Sequence, residues 1–92
     1  MSFTATELYR IHGTNGTRVV GKYVNTAGST GGTIYPALSL VYAMNLQPVT
    51  TAVVTSFPVV NITLTSLPYK GGTGMAIVTT SNESGFWIAD GV

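Results

Sequence analysis

Residues 58–80, Pro-Val-Val-Asn-Ile-Thr-Leu-Thr-Ser-Leu-Pro-Tyr-Lys-Gly-Gly-Thr-Gly-Met-Ala-Ile-Val-Thr-Thr, hold two alternating stretches around a Pro/Gly-rich connection. Val60, Ile62 and Leu64 fall on one face of the first stretch. Val59, Asn61, Thr63 and Thr65 fall on the other. In the second, Met75 and Ile77 oppose Ala76 and Val78. Successive strand side chains point to opposite faces, so a period of two predicts strands. The connection holds Pro68, Gly71, Gly72 and Gly74, the residues that turns demand. A β-hairpin is expected here.

The rest of the chain keeps the same period. Phe3, Ala5, Tyr9 and Ile11 alternate towards one face, with Glu7 interrupting it. A helix over Ala5–Ile11 is the rival there. Asn15-Gly16 marks a hairpin turn, because both residues tolerate positive φ. A strand is expected from Arg18 to Asn25, with Gly21 at a bulge or a close backbone approach. The small residues 26–33 form a loop that Tyr35-Pro36 closes. In residues 38–46, Leu38, Leu40, Tyr42, Met44 and Leu46 share one face. Ser39, Val41, Ala43 and Asn45 share the other. A helix beginning at Pro36 is the alternative. Residues 49–57 continue the strand pattern, 81–85 form a turn and Phe86–Asp90 is a last short strand.

Prolines 36, 48, 58 and 68 separate segments of similar length. Regular short strands predict a single all-β domain over residues 1–92, a compact antiparallel sandwich or small barrel of six to seven strands. Its expected core is Leu40, Tyr42, Val53, Ile62, Leu64 and Ile77.

Charge narrows the function. Charged residues are 8% of the chain, against about 25% in a typical soluble domain. None lies between Lys22 and Lys70. Four basic residues make no phosphate-tracking stripe, so nucleic acid is not an expected partner. No window offers the roughly 20 apolar residues of a membrane span, and no secretion signal is visible in residues 1–11. Without cysteine, neither disulfide nor thiolate metal site supplements the core.

Motifs for chemistry are sparse. His12 is the only histidine, and only Glu7, Glu83 and Asp90 are available as carboxylates. Metal binding and nucleophilic catalysis need a constellation, so no enzyme and no cofactor is expected. The glycines of residues 28–32 and 70–74 miss the phosphate-loop pattern, since Lys70 precedes its glycines. They are turn glycines. The glycosylation patterns at Asn15, Asn61 and Asn82 are chance matches in a chain rich in Ser and Thr. Trp87, Tyr35 and Tyr69 offer faces on which a sugar ring stacks, with core packing or a subunit interface as the competing role.

From Gly16 to Leu38 the chain resembles small virion-associated proteins of tailed bacteriophages, of the capsid-decoration kind. The residues that carry it are Gly16-Thr-Arg-Val-Val-Gly-Lys22, then Thr30-Gly-Gly32 ahead of an apolar stretch near Leu38. Thr33 stands where such proteins have an acidic residue. The resemblance implies a non-enzymatic structural protein of the virion, present in the host cytoplasm during assembly. It implies binding to the capsid protein and to copies of itself, as a trimer or pentamer. It carries over no catalytic residue.

Independently of that likeness, a sheet surface without charge needs a cover against edge pairing. Assembly supplies one. The expected interface is the outward side of residues 39–56, carried by Ser39, Val41, Ala43, Thr50, Ala52 and Val54. A small carbohydrate-binding β-module is the alternative function.

Overall fold

The long alternating stretches at the two ends of the chain, with residues 40–48 and 69–70 from its middle, build the larger of two sheets. The computed structural model describes residues 2–50, 57–70, 72 and 74–92, residue 64 by its backbone. Strand β1 runs Ser2–Gly13, β2 Gly16–Thr26, β3 Gly31–Ile34 and β4 Leu40–Pro48. Then come β5, Val59–Val60, a 3-10 turn at Leu64–Ser66, and β6, Tyr69–Lys70. Strands β7, Met75–Val78, and β8, Ser84–Gly91, complete the chain. The five-stranded sheet has the order β1-β2-β8-β4-β6, and the three-stranded sheet β3-β7-β5. All pairings are antiparallel. The two sheets form an open sandwich rather than a closed barrel.

Residues 2–13 are a strand, so the helical alternative over Ala5–Ile11 fails. So does a helix from Pro36, because β4 is extended throughout. The first hairpin turns at Thr14-Asn15, with Gly13 opposite Gly16, one residue earlier than Asn15-Gly16 suggests. The expected hairpin at 58–80 exists only in part. Val59 and Val60 do pair with Val78 and Ile77. The chain then leaves that sheet, and Tyr69–Lys70 joins the other one beside Val41 and Leu40. Of the strand expected over 49–57, residues 49, 50 and 57 lie in no strand and the rest fall outside the described residues.

Between the sheets lie Val19 and Tyr23 of β2, Val41 of β4, Trp87 and Ala89 of β8, Ile34, Leu38, Met75 and Ile77. Burying such a cluster is the main favourable term for a chain this small. Trp87 is its largest member and lies across Gly21. A Cβ at Gly21 would stand 2.4 Å from the indole ring and from the Thr6 carbonyl oxygen. Gly21 therefore marks a close approach, the second of its two expected roles. The indole N–H donates to the Lys22 carbonyl at 3.2 Å, so the buried ring leaves no polar atom unpaired.

The expected core needs three corrections of detail. Ile77 is buried, and Ile62 and Leu40 are only half-buried. Tyr42 is 46% exposed, while its neighbour Val41, expected on the outside, is fully buried. Val53 lies outside the described residues, and the side chain of Leu64 is not described.

Candidate assembly surface

Two β-bulges account for the side chains that break the alternation. In β1 the register against β2 slips between Glu7 and Tyr9, with Leu8 as the extra residue. Phe3 and Ala5 point towards the core as expected. Beyond the bulge the phase flips, so Tyr9 and Ile11 stand on the outer face, 52% and 55% exposed. In β4 the register against β8 slips between Val41 and Ala43. Val41 and Met44 thus both face inward, and Tyr42 is turned out to solvent. A bulge adds one residue and re-aims the side chains beyond it, which is why a strict period of two misplaces these residues.

The outer face of the larger sheet is built in rows across the strands. Tyr9, Val20, Ile88 and Asn45 are mutual neighbours in one row. Ile11, Arg18, Asp90 and Ala43 form the next, and Thr6, Lys22, Phe86 and Gln47 a third. In the middle of this face Tyr9 is exposed and Ile88 half-exposed around a buried Val20. On this face β2 carries Lys22 and Arg18, and Arg18 makes a cross-strand pair with Asp90 of β8 at 2.8 and 3.3 Å. The hydrogen bond from Arg18 to Asp90, reinforced by the carboxylate's charge, raises the pKa of the guanidinium. At the hairpin end, a cleft of about 500 Å³ opens between Ile11, Asn15, Arg18, Tyr42 and Asp90.

The free edge of the sheet is treated differently from its face. Strand β1 is an edge twelve residues long. It carries the bulge and, on its core-facing side, the ion pair of Arg10 with Glu7 at 2.8 Å. The hydrogen bond from Arg10 holds the Glu7 carboxyl below its ordinary value. Arg10 also donates to the carbonyls of Pro36 and Ala37 at 3.1 and 3.3 Å, tying the edge to the loop before β4. Bulges and inward-turned charges discourage edge-to-edge pairing, so the outer face is the better candidate for assembly.

The expected interface residues divide. Ala43 stands on the outer face in the row of Arg18 and Asp90. Ser39 and Thr50 are exposed. Val41 is excluded, because it is buried in the chain's own core by the β4 bulge. Ala52 and Val54 lie outside the described residues. The aromatic trio also separates: Trp87 is 1% exposed in the core, Tyr69 is half-buried and Tyr35 is exposed. His12 is exposed, with Nδ1 3.1 Å from the Thr17 hydroxyl.

One polar cluster lies inside. Glu83 and Asn25 are each 2% exposed. The Tyr23 hydroxyl donates to the Glu83 carboxylate, and the Thr80 N–H donates to its other oxygen at 3.2 Å. Asn25 donates to the Glu83 carbonyl at 2.8 Å and to the Thr79 hydroxyl at 3.1 Å. The Gly31 N–H donates to Asn25 at 3.0 Å. Among the described residues no buried side-chain polar atom lacks a partner. The cluster joins β2, the loop before β3 and the turn before β8, and the role its geometry gives it is structural.

Tyr9, Ile11 and Tyr42 are the surface residues that alternation misplaces. Glu7 on an otherwise apolar face is the sequence signal of the first bulge. The run Leu40-Val41-Tyr42, apolar at three consecutive positions, is a weaker sign of the second.

No family model matches the chain, and neither a curated protein nor a solved structure matches it.

Proposed function

We propose that the chain is a non-enzymatic structural protein of a phage particle, homo-oligomeric and bound to the capsid surface through the outer face of its larger sheet. The observation that carries this is the apolar row Tyr9-Val20-Ile88 on the outer face, in which Tyr9 is 52% exposed and Ile88 half-exposed around a buried Val20. Two bulges turn further apolar and aromatic side chains onto that face rather than into the core. Interface centres are rich in aromatic groups and poor in charge. The likeness of residues 16–38 to virion-associated proteins supplies the particle. Those residues are β2, which contributes Val20 to the row, and the chain leading through β3 to Leu38.

The test is co-sedimentation with capsids of the encoding phage that lack the protein. The chain should bind them, and Ile88→Lys should abolish binding while the circular dichroism spectrum is kept. A lysine there would be buried unpaired in the contact. Undiminished binding by a folded Ile88→Lys protein would remove the outer face from the proposal. Failure of the wild-type chain to bind would remove the capsid.

A second function, glycan binding, is favoured by the cleft at the hairpin end. Tyr42 offers a ring face for stacking beside the hydrogen-bonding pair Arg18–Asp90. Trp87, inside the core, is not available for this. Reproducible binding on a glycan array that is lost in Tyr42→Ala would favour this function over the first.

A further inference from the structure

Phe57 is 87% exposed. It precedes β5, in which Val59 is exposed and Val60 half-buried. Val59 pairs with Val78, and both are exposed beside it on the outer side of the smaller sheet. On the other side of the same strand, Val60 lines a cavity of about 200 Å³ with Met44, Ile62, Leu67 and Met75. Among the described residues the lining side chains are all apolar, and the cavity opens to solvent.

An apolar cavity of about 150 Å³ holds a benzene molecule, so this one has the volume for a phenyl ring. The two methionines suit it further, because thioethers adapt their shape and contact aromatic edges favourably. Phe57 is exposed to solvent and is not among the residues that line the cavity of its own chain.

We propose that Phe57 of one copy seats in the Met44–Val60–Ile62–Leu67–Met75 cavity of the next. This rests on the homo-oligomeric function proposed above and names its copy-to-copy contact. Anchor and cavity are different surfaces of one chain, so the contact is head-to-tail. Head-to-tail contacts that close make rings, which is the symmetry of a trimer or pentamer rather than of a two-fold dimer. The outer face of the larger sheet stays free for the particle.

Complementation tests it. Phe57→Ser keeps the cavity and loses the anchor. Ile62→Trp keeps the anchor and fills the cavity. Each folded variant alone should run as a monomer in light scattering, and their equimolar mixture should give a species of twice the 9.6 kDa chain mass. A mixture of folded variants that stays monomeric overturns the contact. A second measurement covers the case in which Ile62→Trp does not fold. In a mixed sample, carbon-13 methionine methyls of Met44 and Met75 in one copy should show contacts to the Phe57 ring of an unlabelled copy. Absence of those contacts in an oligomer, with wild-type mass kept by Phe57→Ser, overturns this contact and leaves the oligomer standing. A monomeric wild-type chain overturns both.

Discussion

The Tyr23 hydroxyl donates a hydrogen bond to the Glu83 carboxylate inside the fold, joining strand β2 to the turn that starts β8. Both residues are buried, Tyr23 fully. Removing one partner of a buried hydrogen bond to a charged group costs more than removing both, because the remaining group keeps its desolvation penalty. Tyr23→Phe should therefore lose about 3 kcal/mol in urea unfolding. Tyr23→Phe combined with Glu83→Leu should lose less than the sum of the single changes. Strict additivity would show that the two side chains are not coupled.

The same contact sets an alkaline limit. Burial first, then the hydrogen bond to Glu83 and its negative charge, raise the Tyr23 pKa far above the ordinary phenol value. The folded state thus holds the neutral phenol, while the unfolded chain ionises near pH 10. The stability this gives is fully present below about pH 10 and is lost as pH rises from there towards the folded pKa. The melting temperature of the wild-type chain should fall as pH is raised from about 9.5 to about 11.5. Tyr23→Phe should show a shallower fall across that range. Parallel curves would contradict the assignment.

Gly21 and Gly72 separate packing from loop tolerance. A methyl group at Gly21 would meet the Trp87 ring and the Thr6 carbonyl oxygen at 2.4 Å. Overpacking of that kind costs about 1–3 kcal/mol. At Gly72 an added Cβ meets nothing within 4 Å, and alanine there should stay within about 0.5 kcal/mol of wild type. Thermal melts of the two alanine variants check the contrast.

The β4 bulge makes a prediction that plain alternation reverses. Val41→Ala removes a buried side chain and should cost about 2 kcal/mol. Tyr42→Ala, on the exposed residue beside it, should cost less than about 1 kcal/mol. The opposite ranking in chemical denaturation would restore Tyr42 to the core.

Alternation and turn chemistry make much of this fold legible in the sequence. The all-β class, the strand β2, the shared face of Met75 and Ile77, and the turn before β8 all come from a period of two bounded by glycine and asparagine. The outer surface is less legible, because a single inserted residue inverts every side chain beyond it. Leu8 does this for Tyr9 and Ile11, and the slip at Tyr42 for Val41. The passage of residues 61–70 from one sheet to the other is equally hidden. Only long-range pairing decides that Tyr69 meets Val41 rather than continuing the hairpin. The buried Glu83 gives no sequence signal either, since its partner Tyr23 is 60 residues away.

The proposed function depends on the chain assembling with copies of itself. Light scattering of the wild-type chain across a hundredfold range of concentration is the direct check. The mass should be constant and a small multiple of 9.6 kDa, three or five copies, falling to one copy in Phe57→Ser. A concentration-independent mass of 9.6 kDa for the wild-type chain would contradict assembly.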